Sequence, residues 1–303
     1  MEVKETKLNS KCDGLAISVM TFIPEGKVKG IFQIAHGMCE HKERYYNFME
    51  YLTNQGYITI INDHRGHGES IKKRNDLGYF YDETGEFIVE DLHQVTEYIK
   101  EMYPDKEVSL LGHSMGSMVV RKYIKKYDNE IKNLIVCGSP SKNELIDLGL
   151  ILVEVKKFFQ GEKHRSNMLQ KLALKKNNIK FKDAKSDNSW ICSDKRTVEV
   201  YDQNDLCGFT FTINGFKNLF KLMKHIYIKK GWEMQNKDLP ILFIAGSDDP
   251  IIGNKEKWRK SQEFLKELGY KNVTGKLYQG LRHEILNEKN NEKIYKDILD
   301  FIK

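Results

Sequence analysis

Short apolar segments alternate with longer amphipathic segments along the first 140 residues of the chain. The strand-like segments are two alternating runs within residues 2–24, with a turn near Asp13-Gly14, and apolar runs at 29–35, 57–61, 107–111 and 134–137. Helix-like periodicity lies between them, near 43–55, 86–102 and 117–124. Because strands alternate with helices, the pattern predicts an α/β fold whose mostly parallel sheet is flanked by helices.

The alternation stops after Gly138-Ser139-Pro140 and resumes only at Leu239. Between them, from about 141 to 235, helical and polar segments follow one another with no obvious core strand. The two final strands are predicted at 239–246 and 276–278. The chain is therefore predicted to have a core made of residues 1–140 and 236–303, with an insertion at 141–235.

The segment Gly112-His113-Ser114-Met115-Gly116 has the pattern G-x-S-x-G and joins a predicted strand to a predicted helix. This context is typical of a nucleophile elbow, in which a sharp turn lifts the serine hydroxyl clear of the sheet. Glycine is expected on both sides of Ser114, since a side chain there would collide with neighbouring backbone. An ordinary turn is the competing interpretation, and the strand and helix around the motif favour the elbow.

A serine hydroxyl is a weak nucleophile that needs a base, and the base needs a carboxylate to orient it. The expected order after the elbow is serine, acid, histidine. A lone loop histidine, His283, follows the last predicted strand and is the candidate general base. Asp248 and Asp249 follow the strand before it, and Asp249 is preferred because Pro250 holds it in an extended conformation.

Acyl transfer also needs hydrogen-bond donors for the oxyanion. One is expected to be the backbone N–H of Met115, which follows the nucleophile. The strand ending at Ala35 opens into His36-Gly37-Met38, where Gly37 is expected to let the backbone turn and direct the Met38 N–H into the site.

Two further segments carry a family resemblance. The segment from His36 to Tyr45 resembles the HGxxEHxxRY segment of monoacylglycerol lipases, and Asp63–Ser70 resembles their D-x-x-G-H-G-x-S segment. With the elbow, the chain is similar to the monoacylglycerol lipase, lysophospholipase and S33 peptidase-like group of α/β-hydrolases over about residues 1–140 and 236–303.

The resemblance implies an α/β-hydrolase fold with an inserted helical lid, or cap, at 141–235. It implies a Ser114, Asp249, His283 triad and an oxyanion hole formed by Met38 and Met115. The expected function is hydrolysis of lipid carboxylic esters, foremost monoacylglycerols, through an acyl-enzyme. A lysophospholipase or a short-chain carboxylesterase is the alternative, and a peptidase is a lower-ranked one.

Other classes are disfavoured by the same residues. An aspartate-nucleophile dehalogenase or epoxide hydrolase would need a carboxylate where Ser114 stands. A binding module on an inactive hydrolase scaffold would be expected to lack a triad member, and none is missing. His64 and His67 form a His-x-x-His pair without a completing ligand set, so a structural role is favoured over a metal site. No metal or organic cofactor is expected.

The insertion has an apolar helical face formed by Leu145, Leu148, Leu152, Val155 and Phe159. This face is predicted either to pack on the core and on other helices of the insertion, or to line an acyl-chain tunnel or touch a membrane. Residues 151–185 carry ten Lys or Arg against three Asp or Glu, which indicates either a solvated basic face or attraction to anionic lipid headgroups.

Three aromatic residues of the insertion are candidate substrate-binding residues. Trp190, Phe209 and Phe211 are expected either to form pocket walls or to anchor the lid to the core. The sequence alone leaves these two roles open.

Composition agrees with a globular enzyme. The chain has 303 residues and 40% hydrophobic residues, enough for a large core, and no apolar run reaches the roughly 18 residues of a membrane span. A net charge of +6 without a nucleic-acid-binding motif disfavours nucleic acid as a partner. A monomer or a homodimer is expected.

The cysteines and the N-terminal residues are informative about the cellular location of the protein. Five cysteines without a Cys-x-x-Cys pair predict neither disulfides nor zinc. The polar, charged first residues do not resemble a secretory signal. The expected location is cytoplasmic, with peripheral membrane contact through the lid.

Overall fold

The computed structural model describes residues 1–174, 177–181 and 186–303. Its strands form one eight-stranded sheet in the order β1-β2-β4-β3-β5-β6-β7-β8. The strands are β1 (Glu2–Asn9), β2 (Ala16–Ile23), β3 (Gly30–Ala35), β4 (Tyr57–Asn62), β5 (Val108–His113), β6 (Asn133–Cys137), β7 (Ile241–Gly246) and β8 (Val273–Tyr278). Strands β3 to β8 are parallel, and β2 is antiparallel to both of its neighbours.

Helices cover both faces of this sheet. In the described part of the chain they are α1 (Tyr46–Asn54), α2 (Phe87–Met102), α3 (Met115–Tyr127), α4 (Ile146–Gln160), α5 (Asn167–Leu174), α6 (Lys195–Gln203), α7 (Ile213–His225), α8 (Lys255–Leu268) and α9 (Glu292–Ile302). One apolar cluster joins α2, α3 and α8 to the sheet, and a second joins α1 and α9 to its other face. The predicted α/β-hydrolase-type core of sheet and flanking helices is confirmed.

The apolar runs of the central strands are explained by burial on both faces. Ile31 belongs to one apolar cluster and its neighbour Phe32 to the other, because successive side chains of a strand point to opposite faces. Every residue of β3, β4, β5 and β6 is buried, so these strands lack polar alternation. Strand β2 is also largely buried because it lies between β1 and β4, whereas β1 forms an exposed edge.

The carboxyl ends of the parallel strands lie at one edge of the sheet, where open α/β sheets form their sites. The inserted residues follow β6 and precede β7, and their described part contains helices α4 to α7 and no named strand. Helix α7 packs on α3 and α4, and its buried Phe216 and Leu222 belong to the same apolar cluster as the sheet. The insertion is thus built onto the core through α7.

None of the helices in the described ranges combines the length and the apolar character needed to traverse a bilayer.

Candidate active site

The turn between β5 and α3 has the geometry expected of an elbow. Ser114 lies at its tip with φ +55° and ψ −115°, a strained backbone conformation for a residue with a side chain. Its N–H donates to the Cys137 carbonyl at 2.9 Å, which ties the turn to the neighbouring strand. A Cβ on Gly112 would lie 2.3 Å from the Gly116 oxygen, and one on Gly116 would lie 2.0 Å from the Ala35 oxygen. Glycine is therefore required on both sides of Ser114, as predicted.

His283 and Asp249 form a buried pair. The Asp249 carboxylate accepts a hydrogen bond from His283 Nδ1 at 2.9 Å and another from the Ile251 N–H at 2.8 Å. Since a carboxylate can only accept, Nδ1 carries the proton and Nε2 is free to accept one. His283 Nε2 is buried and makes no hydrogen bond to any described residue. Asp248 is half-buried, and Ser247 Oγ donates to its carboxylate at 3.4 Å.

Ser114 and His283 line the same cavity. The described contacts include no hydrogen bond between their side chains. Catalytic hydrogen bonds are often long in an enzyme without substrate. The structure therefore brings Ser114, His283 and Asp249 to one edge of the sheet, and of the two candidate aspartates Asp249 is the one that contacts the histidine.

The residues predicted to donate to an oxyanion flank Ser114. Met115 is the first residue of α3, where backbone N–H groups have no partner within the helix. The Met38 N–H makes no hydrogen bond to a described residue, and Met38 lines the cavity. Gly37 does not adopt a positive φ, so a left-handed backbone is not what requires glycine here. A Cβ there would lie 2.5 Å from Glu40 Oε1 and 3.2 Å from Ser114 Cβ, so glycine is needed for close approach.

Five buried polar side chains form a hydrogen-bonded cluster beside Ser114, His283 and Met38, and the sequence assigned this cluster no role. It consists of Glu40, Arg44, Tyr45, His113 and Glu284. Burial opposes ionisation of Glu40, but the His113 hydrogen bond and the Arg44 charge hold its pKa well below the usual range. Burial likewise opposes the charged form of His113, yet the hydrogen bond to Glu40 raises its pKa.

The two histidines of the Asp63–Ser70 segment form a buried cluster with His36 of the loop after β3. His36, His64 and His67 pack together, with ring centroids 4.4 Å apart for the first pair and 5.3 Å for His36 and His67. Burial lowers the pKa of all three, and that of His67 falls to about 3. Within the described ranges, no three His, Cys, Asp or Glu side chains are grouped to hold a metal ion.

A cavity of about 740 Å³ lies between this edge of the sheet and the insertion. Apolar side chains of α4, α5 and the residue before α4 line it: Leu145, Leu148, Ile151, Val155, Leu169 and Leu172. Its other insertion residues include the amides Asn143, Gln170, Asn177 and Asn188, and no described Lys or Arg lines it.

The three candidate aromatic residues lie in two different places in the structure. Trp190 lines the cavity, and its ring lies 5.1 Å from the His283 ring. Phe209 and Phe211 do not line it; both pack on His67, 5.4 and 5.3 Å from its ring. The packing of these two phenylalanines corresponds to the anchoring alternative, since it joins the insertion to the core loop after β4.

The basic run of the insertion is partly paired. Lys157 forms an ion pair with Glu83, and Lys163 with Asp76 at 3.2 Å. Arg165 donates to the backbone carbonyls of Thr210 and Asn75. Four lysines of the basic run at 151–185 lie outside the described ranges, namely Lys175, Lys176, Lys182 and Lys185.

The mostly parallel eight-stranded sheet, with a glycine-flanked serine turn after β5 and an Asp–His pair after β7 and β8, defines an α/β-hydrolase. Residues 26–290 match the model of the family described as serine aminopeptidase, S33. This match covers most of the chain, and the chain belongs to that family.

Individual relatives and a solved structure extend this similarity over nearly the whole chain. A monoacylglycerol lipase of Mycolicibacterium smegmatis is 25% identical over 298 residues, covering 95% of this chain and 93% of the relative. A probable lysophospholipase L2 of Haemophilus influenzae is 26% identical, covering 88% and 81%. The crystal structure of a thermostable carboxyl esterase from Bacillus coagulans in complex with glycerol superposes with a TM-score of 0.90, at 25% identity and full coverage of both chains.

Proposed function

We propose that this protein is a serine hydrolase that cleaves carboxylic esters of lipids, with monoacylglycerols as the foremost substrates. The observation that carries the proposal is the buried Asp249–His283 pair, whose histidine lines the same cavity as the strained Ser114. The names of the Mycolicibacterium and Haemophilus relatives support an ester-linked lipid as the substrate.

The proposed reaction proceeds through an acyl-enzyme. His283 Nε2 accepts the Ser114 hydroxyl proton as Oγ attacks the ester carbonyl. The N–H groups of Met38 and Met115 stabilise the oxyanion. Asp249 holds the histidine tautomer and stabilises its cation. The alcohol leaves with the proton from His283, and a water molecule then repeats the attack on the acyl-enzyme.

The cavity lining favours an uncharged headgroup. A lysophospholipid carries a phosphate, and phosphate is usually bound by Arg, Lys or a helix N-terminus. No Lys or Arg of the described residues lines the cavity, whereas several amides do. Amides can donate to and accept from hydroxyl groups, so a glycerol headgroup fits this part of the lining. These amides support a monoacylglycerol as the foremost substrate.

We further propose that residues 141–235 act as a lid that receives the acyl chain from a lipid surface. Support comes from side chains that line the cavity and are also exposed, namely Leu145, Leu148, Ile151, Val155 and Leu172. Apolar side chains around a cavity opening allow a lipid to pass from a membrane or micelle without exposing its chain to water. The same surface accounts for the peripheral membrane contact that we propose.

The proposal is tested by hydrolysis rates on a long-chain monoacylglycerol, a lysophospholipid, a short-chain nitrophenyl ester and an aminoacyl nitroanilide. Ser114→Ala is expected to lower turnover by several orders of magnitude. Ser109→Ala is the matched control, since Ser109 is buried in β5, the strand that leads into the Ser114 turn, and its Oγ accepts from Asn133 Nδ2 at 3.2 Å.

Preference for the monoacylglycerol with an inactive Ser114→Ala variant supports the proposal. Turnover of the short ester alone would make the protein a general carboxylesterase, and preference for the nitroanilide would make it a peptidase. Activity of Ser114→Ala equal to that of the wild type would refute the serine mechanism.

A further inference from the structure

Arg44 lies between two buried carboxylates. Its Nη1 donates to Glu40 Oε2 at 2.7 Å and to Glu284 Oε1 at 2.6 Å, and its Nη2 donates to Glu284 Oε2 at 2.7 Å. The side chains of all three residues are at most 9% exposed. A planar guanidinium can bridge two carboxylates in this way, whereas the point charge of a lysine cannot reproduce the fork.

Each carboxylate is attached to a different loop of the site. Glu40 Oε1 accepts from the N–H of Gly37, the residue before Met38. Glu284 directly follows His283, and its Oε2 also accepts from Asn287 Nδ2 at 3.1 Å. Arg44 therefore connects the loop of the proposed oxyanion donor to the loop of the proposed base.

The peptide group between His283 and Glu284 is held from both sides. Its carbonyl accepts from His113 Nε2 at 3.3 Å, and its N–H donates to the Ile191 carbonyl of the insertion at 2.7 Å. Because the C=O and N–H of a trans peptide point in opposite directions, these two hydrogen bonds fix the orientation of its plane. His113 Nδ1 in turn lies 3.0 Å from Tyr45 Oη, which donates to Glu40 at 2.9 Å.

The insertion contacts the same group through α6. The Arg44 guanidinium lies 4.8 Å from the centroid of the Tyr201 ring. Tyr201 Oη donates to the Cys39 carbonyl at 3.0 Å, next to Met38 in the chain. The contacts of Arg44 thus reach the oxyanion loop, the histidine loop and the insertion.

We propose that Arg44 is a positioning residue that places His283 and the Met38 N–H correctly with respect to Ser114 at the same time. Arg44 does not line the cavity and acts through Glu40 and Glu284. This inference rests on the proposed function, because it assigns Arg44 to the same reaction. Its consequence is that losing Arg44 slows the chemical step more than it weakens substrate binding.

The kinetic test compares Arg44→Gln and Arg44→Lys with the wild type on a soluble nitrophenyl ester. Arg44→Gln is expected to lower kcat by about 10- to 100-fold, as small misplacements of reacting groups do, with KM within about threefold of the wild type. Arg44→Lys is expected to recover part of the rate, since it retains the charge but not the fork.

The matched control is Arg65→Gln. Arg65 is fully buried and, like Arg44, pairs with two carboxylates, Asp91 at 2.7 Å and Asp13 at 3.1 Å, but it touches neither Glu40 nor Glu284. This variant is expected to lower the unfolding temperature and to keep kcat per folded molecule within about threefold of the wild type. The folded fraction of every variant is measured by circular dichroism.

A spectroscopic measurement tests the positioning without any substrate. In wild type, the proton between His283 Nδ1 and Asp249 is expected to give a strongly deshielded proton NMR signal, assigned by its absence in His283→Gln. Arg44→Gln is expected to shift or broaden that signal, and Arg65→Gln to leave it in place.

The outcomes are distinguishable. A wild-type protein inactive on every ester refutes the proposed function, while the NMR signal still reports whether Arg44 positions His283. Arg44→Gln with kcat within twofold of wild type and an unchanged signal overturns the inference. A loss of rate matched by the folded fraction, again with an unchanged signal, overturns it as well and reduces Arg44 to a stabilising residue.

Discussion

Asp248 and Asp249 are neighbours in the chain with different surroundings. The Asp249 side chain is buried and accepts from His283 and from the Ile251 N–H, whereas Asp248 is half-buried and contacts Ser247. Pro250 was the sequence feature that favoured Asp249, and the geometry agrees with that choice. At the scale of single residues, the site also depends on positions that admit no side chain. A Cβ at Gly37, Gly112 or Gly116 would come within 2.5 Å of a neighbouring oxygen.

Asp249→Asn is expected to lower kcat for ester hydrolysis by about 10⁴-fold, because an amide stabilises the wrong histidine tautomer and cannot balance the imidazolium charge. Asp248→Asn is the control, and its kcat is expected to remain within about threefold of the wild type. Both are measured by steady-state kinetics on a short nitrophenyl ester. A larger loss in Asp248→Asn than in Asp249→Asn would exchange the proposed roles.

Helix α4 illustrates how one element can face two environments. Val153 is fully buried against the core, while Phe158 and Phe159 at its C-terminal end are 83% and 77% exposed. Their rings pack edge to face, with centroids 5.1 Å apart. The sequence pattern predicts an apolar helix here but not which side is covered, since that depends on how α7 packs beside it.

Phe158→Ser combined with Phe159→Ser is expected to lower the hydrolysis rate of a vesicle-bound monoacylglycerol about tenfold, because less apolar surface enters the lipid interface. Activity on a soluble short ester is expected to change less than twofold. Val200→Ser is the control, as Val200 is 59% exposed on α6 and does not line the cavity. Equal losses on both substrates, or an equal effect of Val200→Ser, would contradict membrane contact at this end of α4.

The sequence predicts the central strands and Ser114, but it does not predict the contacts that join distant parts of the chain. The central strands were predicted because burial on both faces leaves a continuous apolar run, and Ser114 because a tight turn requires glycine around it. The Arg44–Glu284 contact was not predicted, because ion pairing between residues 240 positions apart leaves no periodic or spacing signal. The separation of Trp190 from Phe209 and Phe211 likewise depends on tertiary packing.

At the scale of the whole molecule, the pH dependence of stability is expected to reflect three buried histidines whose pKa values are lowered, His36, His64 and His67. His67 packs on His36, Phe80, Phe209 and Phe211, so it lies where the core and the insertion meet. Its pKa of about 3 lies below the 6.5 expected in the unfolded chain, chiefly because of burial. Between these values the unfolded state binds a proton that the folded state does not, so stability falls as the pH falls.

The free energy of unfolding is expected to be largest above pH 6.5 and to decrease as the pH drops toward 5. Each histidine that stays neutral contributes a slope of up to about 1.4 kcal/mol per pH unit. His67→Gln removes one titrating group, so it is expected to reduce that slope by up to about 1.4 kcal/mol per pH unit. Urea denaturation at pH 7.5, 6.5 and 5.5 measures it, and parallel curves for the variant and the wild type would contradict the assignment.

The bridge from Arg44 to Glu284 also has a consequence for protein synthesis. At about 5–20 residues per second, a ribosome needs roughly 10–50 s to travel from residue 44 to residue 284. Between the synthesis of Ser114 and that of Asp249 the nascent chain carries the serine without either proposed partner, and until Glu284 is added Arg44 lacks one of its two anions. If the proposed triad carries the reaction, hydrolytic competence is therefore expected only after residue 284 has been synthesised. A chain terminated within the insertion lacks β7, β8 and both proposed partners of Ser114, and it is expected to be inactive and sensitive to proteolysis.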